Sequence, residues 1–334
     1  MMNVGIIGMG IGRKHVLAYK NNKNTNIKKI CDFDSKKLPL IKKEFPNIEI
    51  VTSSDLIIED NGIDIVSIAS YDNYHFEQIM KSIKYKKHIF AEKPICMSLT
   101  ELVEIYQALA ENKSLLFSAN HVLRTNSRFK KLKRNIKRND FGDIFYLEGD
   151  YLWGRKEKLY GWRSNMDYYS IIYGAAIHMI DLIVWLIDEK PINVQAMGNN
   201  IATKDSNLKF NSFAVILLEF ENGIIVKLTG NGGCVHPHFH GLKIFGTKKT
   251  AIHNIDGAYY LKSSQPSIEK ISISESYPEK ETREKVIHSF IDTIMSSSNE
   301  LIVSQKDIFN IMSICFAAEE AMISGKKISI NYLV

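Results

Sequence analysis

Glycines punctuate the run Gly8-Met9-Gly10-Ile11-Gly12, and a carboxylate, Asp32, follows 22 positions after Gly10. Closely spaced glycines allow a tight turn, and a helix starting there presents its N–H groups to a pyrophosphate. Asp32 closes a second apolar run, where a carboxylate can accept hydrogen bonds from ribose hydroxyls. The spacing is G-x-G-x-G, one residue short of the usual fingerprint, but strand, turn, helix and distal acid stand in the required order. The chemistry predicted is dinucleotide binding, with Gly8, Met9, Gly10, Ile11, Gly12 and Asp32 against the cofactor. An acid at 32 repels a 2′-phosphate and favours NAD over NADP; Lys36 and Lys37 pull the other way.

Two further strand ends carry polar groups. Ala69-Ser70 leads into Tyr71-Asp-Asn-Tyr-His75, which places Ser70, Tyr71 and His75 where open α/β folds bind ligands. The next end reads Ala91-Glu92-Lys93-Pro94. Pro94 fixes its own φ and biases Lys93 toward extended geometry, so the lysine is held where it can hydrogen-bond a reacting hydroxyl or shuttle its proton. A solvated lysine at a loop mouth is the plain alternative. His178 lies on a strongly apolar helical run, where a satisfied core histidine is the bland reading. Asp181, three residues on, shares its helix face and can orient it or contact substrate or backbone.

Other candidates are weaker. Asn120, His121 and Arg124 follow the last strand of this first part, where an amide or guanidinium can bind a carboxamide, a sugar hydroxyl or an anion, or simply form a salt-bridged linker. Gly154-Arg-Lys-Glu-Lys158 and Gly161-Trp162-Arg163 combine cations with an indole, so Trp162 and Arg163 are candidate substrate contacts. His236, His238 and His240 alternate, which on a strand gives one face. Pro237 disfavours a regular strand and no acid or cysteine has matching spacing, so no metal site is predicted. The basic helix 128–138 reads as a solvated face.

The elements that must position these groups show two textures. Up to residue 121, short β-branched runs (3–7, 27–31, 63–69, 88–90, 115–119) alternate with helical patterns (14–21, 36–45, 74–85, 99–112). That rhythm predicts a doubly wound parallel sheet of Rossmann type, residues 1–121. Ser98 with Glu101 is a capping box for the last of those helices. From 122 to 334 come longer alternating strands (144–152, 194–199, 213–219, 224–231, 242–245), a turn signal at Glu221-Asn-Gly223, and helices at 170–187, 285–296 and 306–325. These predict an α+β domain with a large, mostly antiparallel open sheet.

Composition sets the outer bounds. The 334 residues are 45% hydrophobic and 24% charged, ordinary for a soluble globular protein of about two domains at ~150 residues each. Lys and Arg number 43 against 37 acids, a net +6 that suits an anionic small molecule but falls short of a nucleic-acid binder. Four scattered cysteines, no secretory signal and no long apolar span predict free thiols, no membrane partner and a cytoplasmic protein.

The glycine loop, Asp32 and Glu92-Lys93-Pro94 resemble the Gfo/Idh/MocA oxidoreductases, as do Gly142-Asp-Ile144, Gly174-Ala-Ala-Ile-His178-Met-Ile-Asp181 and Gly241-Leu-Lys-Ile-Phe-Gly246-Thr. The resemblance implies a Rossmann domain and a sheet domain that packs against a partner subunit, hence a homodimer or homotetramer. It implies transfer of hydride between nicotinamide and an alcohol carbon of a sugar, cyclitol or nucleotide sugar. By position Lys93 matches the family's catalytic lysine and His178 its histidine. Many members carry an aspartate four residues before that histidine, where this sequence has Gly174. Proton handling then rests on Lys93 and His178, helped by Tyr168, Tyr169 or Tyr173. A non-catalytic protein that senses NAD(H) or a sugar is the alternative.

Overall fold

A computed structural model describes residues 1–265, 269–296 and 301–334. The first part alternates β1 (Met2–Ile7), α1 (Gly12–Lys20), β2 (Thr25–Cys31), α2 (Leu38–Glu44), β3 (Glu49–Val51), α3 (Asp55–Ile58), β4 (Ile65–Ile68), α4 (His75–Lys84), β5 (His88–Ala91), α5 (Leu99–Ala110) and β6 (Phe117–Ala119). The six strands form one parallel sheet in the order β3-β2-β1-β4-β5-β6. A helix after each inner strand forces the parallel crossover, so every strand ends on the same sheet edge. Val4, Ile6, Ile65, Val66, Ile68 and Ile89 are fully buried, as strands covered on both faces require. β3 was not anticipated: three residues are too few for a periodicity to show.

The capping box forms. Ser98 accepts from the backbone N–H of Glu101, whose carboxylate accepts from the N–H groups of Ser98 and Met97. Its N-cap Ser98 lies five residues after Lys93 and fixes the exit of that loop.

The second part runs α6 (Ser127–Lys137), β7 (Ile144–Leu152), α7 (Ile177–Ile187), β8 (Pro191–Asn199), β9 (Phe213–Phe220), β10 (Ile225–Asn231), β11 (Phe239–Gly246), β12 (Thr250–Asn254), β13 (Gly257–Leu261) and β14 (Ile271–Ser272). After α8 (Glu284–Ser296) and α9 (Gln305–Ser324), β15 (Ile328–Ser329) completes a nine-stranded sheet ordered β14-β13-β12-β11-β7-β10-β9-β8-β15. Only β10 and β7 are paired in parallel among its described strands. Leu147, Ile216, Leu218, Val226, Leu228 and Ile244 fill one face of the sheet at zero exposure. The other face keeps Lys227 and Lys243 paired with Asp150 and Glu148.

Two expectations change. The helix expected over 170–187 begins with a wide π turn, Ile172–Ala176, before α7. Such turns carry one extra residue and are rare and local, so a sequence pattern does not show them. The chain also divides into two compact units: Met1–Val122 with Lys280–Phe309 and Leu333–Val334, and Leu123–Glu279 with Asn310–Tyr332. Sequence placed everything after 121 in the second domain. Helix α8 instead lies on the first, where His288 donates to the Ala18 carbonyl at 3.0 Å and Asn21 to Glu284 at 3.0 Å.

Candidate functional site

In the first unit the glycine turn sits between β1 and α1. Gly8 takes φ +88°, and a Cβ there would stand 2.4 Å from the carbonyl oxygen of Ala69. Only glycine fits so close an approach. Gly10 has open space where a side chain would be, the cradle a dinucleotide needs, and Ile11 is exposed beside it. The buried Asp32 carboxylate accepts from the Met9 N–H at 2.9 Å and from the Asp34 N–H at 3.0 Å, so it pins the turn as well as facing it. Lys37 comes within 4.0 Å of Asp32.

The next two strand ends hold each other. Ser70 donates to Gln78 at 2.7 Å, and Tyr71 meets Phe33 edge-on at 5.5 Å. His75 is wholly buried, with Nδ1 2.6 Å from the Pro94 carbonyl and Nε2 3.2 Å from that of Ser70. It joins the loop after β4 to the Lys93-Pro94 turn, whose peptide bond is cis.

Glu92 accepts from Asn120 Nδ2 at 2.7 Å and from His15 Nε2 at 3.2 Å; His15 Nδ1 lies 2.9 Å from the Ser67 hydroxyl. Burial works against the Glu92 carboxylate. The hydrogen bonds and charge of His15, with Asn120 and Lys93, overcome it and bring the pKa to about 2. Lys93 thus stands beside a fixed negative charge. Asn120 Oδ1 is buried with no partner among the described residues, an acceptor that fits a carboxamide N–H. Glycine turn, ribose-side acid and orphan acceptor together fit a nicotinamide dinucleotide.

In the second unit His178 stacks on Tyr151, ring centroids 5.4 Å apart and planes 10° from parallel. His238 and His240 meet the same tyrosine at 5.3 and 5.0 Å. β11 begins only at Phe239, so the three alternating histidines do not share a strand face: Pro237 keeps His236 and His238 in the preceding loop. Among the described residues no group of three His, Cys, Asp or Glu could hold a metal.

Gly174 lies in the π turn, and a Cβ on it would fall 2.2 Å from the Tyr169 hydroxyl. The buried phenol occupies the space in which a side chain at 174 would lie. Tyr168 instead bonds Glu319, and Tyr173 packs edge-on against Phe316 at 5.3 Å.

Arg124 and Asp181, both expected among substrate contacts, are placed against each other. Arg124 donates through Nε to both carboxylate oxygens at 3.0 and 3.2 Å and through a terminal nitrogen at 2.7 Å. With exposures of 2% and 1%, the pair is buried. Asp181, one helical turn from His178 on α7, is thus held by Arg124. Trp162 and Arg163 do come together, the guanidinium 4.2 Å from the indole centroid. Sequence reasoning missed His15, which lies 77 residues from its partner Glu92; its position on the buried face of α1, just past the glycines, was the available signal. It also missed Tyr151, the centre of the imidazole cluster.

Residues 2–121 match an oxidoreductase family described by its NAD-binding Rossmann fold, and residues 129–252 match the GFO/IDH/MocA C-terminal domain. The chain is 26% identical over 250 residues to 2,7-anhydro-N-acetylneuraminate hydratase of Escherichia coli, covering 74% of this chain and 66% of that protein. It is 24% identical over 253 residues to myo-inositol 2-dehydrogenase of Thermotoga maritima, 74% and 73% of the two chains. A solved scyllo-inositol dehydrogenase from Lactobacillus casei, with bound NAD(H) and scyllo-inositol, superposes with a TM-score of 0.81 over 98% of this chain and 99% of that one, at 19% identity.

Proposed function

The chain belongs to the Gfo/Idh/MocA family of NAD(P)-dependent oxidoreductases acting on CH–OH groups, and we propose that Lys93 and His178 handle the hydroxyl proton of a sugar, cyclitol or nucleotide-sugar substrate. When bound, the nicotinamide supplies the hydride acceptor or donor, and the protein supplies geometry and proton transfer. Gly8, Met9, Gly10, Ile11 and Gly12 hold the pyrophosphate, Asp32 the ribose, and Ser70, Tyr71, His75, Glu92 and Asn120 the nicotinamide end. Asp32 favours NAD over NADP. The observation that carries the reading is Lys93 set beside a Glu92 carboxylate that His15 and Asn120 keep ionised. A lysine so placed can orient the alcohol and pass its proton.

The test is incubation with NAD or NADP and a panel of sugars, cyclitols and nucleotide sugars, followed by NADH absorbance. Appearance of NADH with one class supports the reading; no change with any of them, and no altered product, overturns it. Gly174, where many members carry an aspartate, favours a second reading: a protein that binds NAD(H) and a sugar without turnover. Product formed without net NADH would instead mark a transient redox cycle; one relative is named as a hydratase. For the homo-oligomer we place the contact on the open face of the second sheet, where Met197, Leu217 and Ile225 are exposed. No helix among the described residues is long and apolar enough to cross a membrane.

A further inference from the structure

The stretch after β7 carries three side-chain donors that find no acceptor among the described residues. Trp153 is 3% exposed, and its Nε1 is buried without a partner among the described residues. The Nε atoms of Arg155 and Arg163 are in the same state. A buried donor left unpaired is costly, and three along one loop are more than a folded protein ordinarily tolerates.

The donors are neighbours in space. The Arg163 guanidinium lies 5.1 Å from the centroid of the Trp153 ring and 4.2 Å from that of Trp162, so it is held by two indoles. A terminal nitrogen of Arg163 reaches the Lys158 carbonyl at 3.3 Å. Burial, and then the charges of Arg155 and Arg163, press the Lys158 ammonium below its usual range, with Glu157 alone opposing them. Three cations therefore crowd one another where a single acid is at hand. The cluster also adjoins the imidazoles: Trp153 meets Tyr151 edge-on at 5.9 Å, and Tyr151 is stacked on His178.

We infer that Trp153, Arg155, Lys158 and Arg163 form a subsite for an oxyanion carried on the sugar, a carboxylate or a phosphate, with the indoles against the ring. This deepens the reading of the chain as a sugar or cyclitol oxidoreductase and rests on it. Guanidinium groups match the flat, two-oxygen face of such anions, and an anion would relieve the repulsion while giving each orphaned donor an acceptor. A neutral polyol does only the second.

The experiment compares D-glucuronate, D-glucose 6-phosphate and neutral D-glucose and myo-inositol, by calorimetric binding to the NAD-loaded protein and by NADH formation. One or both acidic sugars should bind about tenfold or more tighter than D-glucose at low salt, and which of them does so distinguishes carboxylate from phosphate. Arg155→Gln with Arg163→Gln should abolish that preference. Should the double variant fail to fold, Lys158→Gln, at an exposed lysine, should reduce it. Equal binding of acidic and neutral sugars, or a preference that survives in the variants, overturns the subsite. Variant-sensitive binding of acidic sugars with no redox product from any sugar would keep the subsite and defeat the oxidoreductase reading. Turnover of neutral sugars with no acidic preference would do the reverse.

Discussion

The Tyr169 hydroxyl stands 2.2 Å from the point where a Cβ on residue 174 would lie, so the tyrosine and the glycine are a matched pair. Gly174→Ala should lower stability by about 1–3 kcal/mol, the usual cost of overpacking. In a Tyr169→Leu background the same substitution should cost clearly less. Denaturant melts of the four proteins form a double-mutant cycle, and strict additivity would refute the pairing.

Lys93→Ala should leave NAD affinity within a few fold while cutting turnover about 100- to 10,000-fold, the span of acid–base contributions. Cofactor binding by fluorescence and steady-state rates separate the two quantities. Unchanged turnover would remove Lys93 from the chemistry.

The pair Arg124–Asp181 is nearly free of solvent. Arg124→Met alone takes the guanidinium away from a buried carboxylate and should cost about 3–5 kcal/mol, whereas Arg124→Met with Asp181→Leu should recover most of it. Chemical denaturation of single and double variants decides. If the pair instead meets substrate, the double variant will be stable yet lose affinity.

Acid should act in two stages. Burial, then the charge of Arg128, holds His253 down at about 3. The unfolded chain therefore takes up this proton first, and stability present above about pH 6.5 falls between there and about pH 3. Glu92, held at about 2, is also lower than in the unfolded chain, so its share is kept above pH 4.5 and lost between there and about pH 2. Denaturation midpoints measured from pH 7 to 3 should fall throughout. His253→Gln should flatten the fall from pH 6.5 down to about 3, leaving only the Glu92 share below 4.5, and an unchanged slope between 6.5 and 4.5 would exclude His253 as its source.

Much of this was legible because it is local. A glycine turn between a strand and a helix, a capping box at Ser98 and a proline after Lys93 each leave their mark within a few residues. The supporting shell is not local. His15 and Glu92 are 77 residues apart and Arg124 and Asp181 are 57 apart, and no spacing rule joins them. Helix α8 reads as amphipathic in either unit, since its pattern states that it packs but not on what. The π turn escaped because one added residue leaves an apolar run looking like any buried helix.

The large sheet is bounded by β14 and β15, each only two residues long. So short a margin presents few unpaired N–H and C=O groups to a passing chain. Growth by strand addition onto β14 or β15, the route by which broad sheets seed fibrils, is therefore poorly templated.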